Sequence, residues 1–176
     1  MADLDPGKYA RPERERRFLL AVPPATGPVV TRRITDRYLT GTRMRLRAME
    51  LPGAEPVFKL TQKIPAERPG PVQGLITTVY LSAAEYEVFA ALPARVLRKV
   101  RHSVPPLGVD VFGPPLDGLV LAEAEFDSDE EATAFAVPSL AVAEVTADPR
   151  FTGGRLAAAT PSELREWLAG FGIAPP

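Results

Sequence analysis

Several separate stretches of this chain alternate a charged side chain with an apolar one. In "RMRLRA", Arg43, Arg45 and Arg47 alternate with Met44, Leu46 and Ala48. In "FKLTQK", Lys59, Thr61 and Lys63 share one parity, and in "KVR" Lys99 and Arg101 flank Val100. In "LAEAEF", Glu123 and Glu125 flank Ala124. A strand sends alternate residues to opposite faces, so each stretch has a charged face and an apolar face. Taken alone, each reads as a strand with a solvated outer face. Their repetition supports another arrangement, in which Met44, Leu46, Leu60, Val100, Ala124 and Phe126 face a shell of helices and loops. The charged set then lines the interior of a closed sheet.

Charge is unevenly spread along the 176 residues. Formal net charge is -1, but residues 32 to 101 hold thirteen Lys/Arg against six Asp/Glu, while residues 102 to 148 hold ten Asp/Glu and no Lys/Arg. Folded together, these halves make a cationic wall and an anionic wall, suited to an anion accompanied by a metal cation. The net charge argues against a general nucleic-acid binder or a polybasic membrane binder. With no cysteine and only His102, cysteine-ligated metal and a multi-histidine zinc site are excluded. The N-terminus lacks an apolar signal-peptide core and no run reaches membrane-spanning length, so a cytoplasmic protein is expected.

Twenty Pro and thirteen Gly cut the chain into short pieces, favouring strands and loops over long helices. A tail is expected over 1–12 and one domain over 13–176. Alternation predicts strands near 13–20, 34–39, 42–49, 57–63, 74–82, 97–103, 108–112 and 118–126, with Gly41 at a hairpin turn. Capping signals predict helices after Ser82 and Ser128, each with Glu three residues on, and after Thr160, with Pro161 at the first turn. Leu164, Trp167, Leu168 and Phe171 then fall on one docking face, with Gly170 as a stop. The fold class expected is mainly β, an eight-stranded antiparallel tunnel-like barrel with flanking helices and a charged interior.

The residue types on the charged faces fit a polyanion with a divalent metal. Arginine presents a planar fork to phosphate oxygens, and lysine a compact point charge. Carboxylates are hard ligands that suit magnesium or manganese, and glutamates at i and i+2 on a strand can aim at one ion. Glu13 and Glu15 in "ERERRFLL" share this spacing with Glu123 and Glu125.

These motifs resemble the CYTH domain, the triphosphate tunnel metalloenzyme family. Its first-strand signature, Glu-x-Glu-x-Lys, is matched by Glu13 and Glu15, with Arg17 in place of the lysine. "ITDRYL" followed by "RMRLR" places Arg45 and Arg47 at its paired arginines, and "LTQK" places Lys63 at its lysine. "RKVR" supplies Lys99 and Arg101, "GVDVF" supplies Asp110, and "LAEAEF" supplies Glu123 and Glu125. "EVTADPRFTGGRLA" resembles the closing segment, with Asp148, Arg150 and Arg155. The resemblance runs from about residue 13 to 157.

The resemblance implies cleavage of a triphosphate inside a tunnel, with Mg2+ or Mn2+. Arg45, Arg47, Lys63, Lys99 and Arg101 would hold phosphates; Glu13, Glu15, Asp110, Glu123 and Glu125 would hold metal; Glu13, Glu15 and Arg17 would form the catalytic set. Arg14 and Arg16 would point away from the tunnel and need outer partners. Inorganic triphosphate is the first expectation, ahead of thiamine triphosphate and of adenylate cyclisation by a class IV enzyme. A module that binds polyphosphate or a nucleotide without turnover is the alternative. Two departures motivate it: Arg17 stays protonated and cannot activate water, and "GLITTVYLS" carries Ile76 and Thr78 where relatives commonly carry glutamates. Expected partners are a small-molecule triphosphate, with no nucleic acid and no membrane; a homodimer is compatible with the sequence.

Overall fold

The computed structural model describes residues 7–25, 27, 29–67 and 70–174. The strands are β1 (Arg11–Leu20), β2 (Val30–Leu39), β3 (Met44–Glu50), β4 (Val57–Pro65), β5 (Val72–Leu81), β6 (Ala94–Val104), β7 (Leu107–Phe112), β8 (Val120–Glu125) and β9 (Ala141–Glu144). The helices are α1 (Ala83–Ala90), α2 (Asp129–Ala134), α3 (Gly153–Leu156) and α4 (Pro161–Ala169), with a 3-10 turn at Pro149–Phe151. Among the described residues no helix is long and apolar enough to cross a membrane.

Neighbouring strands run β5-β4-β3-β2-β6-β7-β8-β1, and pairing of β1 with β5 closes the ring into an eight-stranded antiparallel barrel. β1 makes the closure by changing partners. Its first half pairs with β5, from Arg11 opposite Ile76 to Arg14 opposite Val72. Its second half pairs with β8, from Glu15 opposite Glu125 to Leu20 opposite Val120. The register slips between Glu13 and Arg14, and β9 takes the edge beyond, against Phe18 to Leu20. The slip leaves Gln73 of β5 without an opposite residue on β1, an extra residue of the kind that bends a strand, here β5 where the ring closes. Of the tail expected over 1–12, residues 1–6 lie outside the described residues, and Arg11 and Pro12 belong to β1.

The apolar parity faces outward and is covered, as the inverted arrangement requires. Leu39, Leu46 and Leu60 form one cluster, with Tyr86 and Phe89 of α1 packed over it. Phe18, Val109, Val120, Ala122 and Ala124 form another, closed by Phe126, Phe135 and Ala141. Arg14 and Arg16 share this outer parity and find partners there. Arg14 donates to Asp129 at 2.5 Å. Arg16 donates to Glu144 at 2.8 and 2.6 Å, and also to the carbonyls of Ala132 and Phe135. These contacts fasten α2 and β9 to β1.

One end of the barrel is apolar inside as well. Leu19, Leu97, Phe112 and Leu121 continue inward-facing columns past the charged positions and pack with Phe151, Leu156, Leu164, Trp167 and Leu168. The C-terminal segment thereby plugs that end. Its last helix begins with a full capping box, Thr160 with Glu163, and α1 has the same device in Ser82 and Glu85. At α2 only half of the box forms: Ser128 accepts from the Glu131 amide, while the Glu131 carboxylate accepts from Asp127 instead. Gly41, at φ 75°, makes the β2–β3 hairpin turn.

Candidate functional site

Inside the barrel is a cavity of about 640 Å³ whose wall changes sign around its circumference. β1 contributes Glu13, Glu15 and Arg17, and β8 contributes Glu123 and Glu125. Across from them β3 contributes Arg45 and Arg47, β4 Lys59, Thr61 and Lys63, and β6 Lys99 and Arg101. Register explains the gathering. Arg45 faces Thr61 and Arg47 faces Lys59 across β3–β4. Glu123 faces Arg17 across β1–β8. A smaller cavity of about 300 Å³, lined by Arg32, Arg101, Glu123 and Glu125, adjoins the same residues.

Ten of the eleven residues expected at the site therefore line the main cavity; Asp110 does not. Asp110 faces inward, in one column with Phe112, but is 0% exposed, covered by Lys99 and Arg101. Its carboxylate accepts from Arg101 at 2.7 and 2.6 Å and from the Lys99 ammonium. Those donors occupy the oxygens a metal would need, so Asp110 holds cations in place instead of reaching an ion. Arg101 also bonds Glu123, bridging the two carboxylates.

Arg17 is anchored to the C-terminal segment. It donates to the carbonyls of Phe151 at 3.2 Å and Thr146 at 2.7 Å. Its Nε is buried with no hydrogen-bond partner among the described residues, 3.8 Å from Glu15. A guanidinium in the lysine's position thus ties the plug to the barrel. Thr61 and Thr78 hydroxyls bond each other at 2.9 Å, so β5 brings a hydroxyl to this wall with Ile76 beside it.

Two residues of the second strand were not singled out from sequence. Asp36, 1% exposed, accepts from Arg47 Nε at 2.6 Å and Nη2 at 2.7 Å, and Arg45 Nε stands 3.7 Å away. Burial raises its pKa, but the bonds and charge of Arg47, with Arg45 and Lys99, outweigh this and hold it below the ordinary aspartate value. The signal was present: a tight turn at Gly41 sets Tyr38 opposite Arg45 and Asp36 opposite Arg47. Tyr38 lines the cavity and packs on Gly153, where an added Cβ would stand 1.8 Å from its hydroxyl oxygen. Gly153 of "FTGGR" thus makes room for Tyr38 at the start of α3. Asp148 also lines the cavity and is held by Arg150 at 2.6 Å, while Arg155 pairs with Glu163 at 2.7 Å. Thr78 reaches the cavity; Tyr80 is 70% exposed, with the Lys59 ammonium 4.9 Å from its ring centre. His102 contacts Thr31 at 3.2 Å and is not on the cavity wall.

The carboxylates are not alike. Lys63 donates to Glu13 at 2.5 Å, and Glu123 is held by Arg101. Burial raises Glu123, but Lys99, Arg101, Arg47 and Lys63 together hold it far below the ordinary value. Glu15 goes the other way. Burial first, then the neighbouring charges of Glu123 and Glu13, push its carboxyl from 4.5 to about 7, against Lys63 and Arg17. Among the described residues no three His, Cys, Asp or Glu side chains stand close enough to hold a metal ion. The donor chemistry nevertheless fits a hard cation at Glu15, a buried carboxyl crowded by two others, since a cation there would relieve the repulsion. At Asp110 it does not fit.

No protein-family model and no curated protein matches this chain. Solved structures do. Two crystal structures of the protein NE1496 are similar to it, one called a hypothetical protein and the other an inorganic triphosphatase. The first is 26% identical and covers 85% of this chain and 99% of its own, with a TM-score of 0.55. The second is 27% identical and covers 85% and 96%, also at 0.55. The closed antiparallel ring of eight strands, the ion-lined interior and this likeness lead to one conclusion: the chain has the triphosphate tunnel fold of the CYTH family.

Proposed function

We propose that this chain hydrolyses inorganic triphosphate to diphosphate and phosphate inside the barrel, with a magnesium or manganese ion. The observation that carries the reading is the divided wall of the 640 Å³ cavity, cations from β3, β4 and β6 facing carboxylates from β1 and β8. The likeness to NE1496, called an inorganic triphosphatase, supports the same reaction class. Arg45, Arg47, Lys63, Lys99 and Arg101 would bind phosphate oxygens. The buried, unpartnered Nε of Arg45 is a donor that such an oxygen would satisfy. Glu15 would hold the ion, with Glu13, Glu123 and Glu125 turning toward it as it binds, and its positive charge would neutralise the phosphoryl group being transferred. Asp110 is left out of this set because Lys99 and Arg101 occupy it.

Phosphoryl transfer needs positioning and charge stabilisation more than covalent help from the protein. Residues on opposite walls supply both: the cations fix the phosphate chain, and the closed sheet with its plugged end limits water. Arg17 takes no proton from water, because a guanidinium stays protonated. Its part is to hold the plug through Thr146 and Phe151 and to add positive charge beside Glu15.

A second reading, capture of polyphosphate or a nucleotide without turnover, is favoured by Ile76 and Thr78 on β5 and by Arg17. Phosphate release from inorganic triphosphate, with magnesium or manganese, separates the two. Turnover abolished by Glu13→Ala supports hydrolysis. Release no greater than that of the Glu13→Ala protein refutes it, and calorimetry showing tight binding of intact triphosphate then favours capture.

A further inference from the structure

The cationic wall has a carboxylate built into it. Asp36 is the inward-facing acid of β2, paired across β2–β3 with Arg47. It grips the Nε and Nη2 edge of that guanidinium at 2.6 and 2.7 Å. Asp36 itself is not on the cavity surface, whereas Arg47 is. A guanidinium carries five N–H donors in one plane. Two are engaged by Asp36, so the remaining three, on Nη1 and Nη2, project from the opposite edge.

We propose that Asp36 is a positioning residue of the phosphate site, fixing the Arg47 guanidinium so that its free N–H edge is presented to the ligand. The inference rests on the triphosphate reading above. Asp36 does not touch the ligand; it acts through Arg47. An unheld arginine must lose several side-chain rotations when it binds a phosphate, and Asp36 removes that cost beforehand.

Simple electrostatics gives the opposite expectation. Asp36 subtracts one positive charge from the wall, so if it served only as a charge, Asp36→Asn would draw a polyanion more tightly. The sign of the change therefore distinguishes the two roles. The probe is inorganic triphosphate, with Kd measured by calorimetry on the full chain. Asp36→Asn is expected to weaken binding about tenfold, as loss of one oriented, charge-assisted contact. In an Arg47→Met background the same substitution is expected not to weaken binding, since the residue it acts through is gone and only the lost negative charge remains.

Tighter or unchanged binding by Asp36→Asn, with the wild type binding normally, overturns the inference alone. So does an equal loss in the Arg47→Met background. A wild-type protein that binds no triphosphate overturns the functional reading and this inference together. Arginine side-chain NMR on the wild type needs no variant: the Arg47 Nε–H is expected to be rigid and exchange-protected before triphosphate is added, and a mobile Nε–H overturns the proposal even if Asp36→Asn fails to fold.

Discussion

Glu15→Gln should stabilise the protein at alkaline pH. The Glu15 side chain is 13% exposed, and burial beside Glu123 and Glu13 raises its carboxyl from 4.5 to about 7. An unfolded chain returns it to the ordinary value. Below pH 4.5 the carboxyl is protonated in both states and carries no penalty. As pH rises from 4.5 to about 7, the unfolded chain gives up the proton while the folded state keeps it, so stability is lost across that window and stays lost above it. The gap from 4.5 to about 7, at about 1.4 kcal/mol per tenfold change, amounts to about 3 kcal/mol at pH 8 as an upper figure. Glutamine has no charge to lose. For a chain of this size about 1 kcal/mol moves Tm by roughly 2–4 °C, so the gain is roughly 6–12 °C. Thermal unfolding of both proteins at pH 8 and pH 4.5, without metal, makes the comparison. The gain should appear at pH 8 and vanish at pH 4.5. Manganese should then raise Tm of the wild type and not of Glu15→Gln. A variant no more stable than wild type at pH 8, or equally stabilised at both pH values, would refute the reasoning. Such a result would mean that the like charges on β1 and β8 do not converge. The gain would also mark a site kept less stable than it need be for the sake of a ligand.

Asp110→Asn should destabilise by about 3–5 kcal/mol, because Lys99 and Arg101 lose a fully buried counter-charge. A Tm fall of roughly 6–20 °C is expected, partly recovered by inorganic triphosphate, and no fall would show that Asp110 is not the anchor of those cations. Gly153→Ala should cost about 1–3 kcal/mol, since the new methyl would stand 1.8 Å from the Tyr38 hydroxyl oxygen. Urea midpoints check this: the loss should shrink when Tyr38→Phe is added, and an unchanged midpoint for Gly153→Ala would show that Tyr38 yields without cost.

The sequence made the barrel readable because its signal is local and periodic. Each charged strand shows its two faces within six or seven residues, and Ser82 and Thr160 mark helix starts with residues three apart. Reading the apolar parity as outward-facing also told where Arg14 and Arg16 must look for partners, although Asp129 and Glu144 lie more than a hundred residues on. What periodicity could not show was which cavity ions hold one another. Arg17 bonds Phe151, 134 residues away, and that contact depends on where the C-terminal segment folds back. β9 was missed for a related reason: four residues, "AVAE", become a strand only because β1 offers them an edge. Asp110 looked like a metal ligand in "GVDVF", yet its role follows from register, since β6–β7 pairing sets it opposite Arg101.

The most direct measurement is a crystal structure of the protein grown with triphosphate and manganese, the metal located by its anomalous signal. The expected result places the phosphate chain against Arg45, Arg47, Lys99 and Arg101, with manganese on the Glu15 side of the cavity. Triphosphate bound on the outer surface, or a cavity that stays empty at saturating ligand, would contradict it.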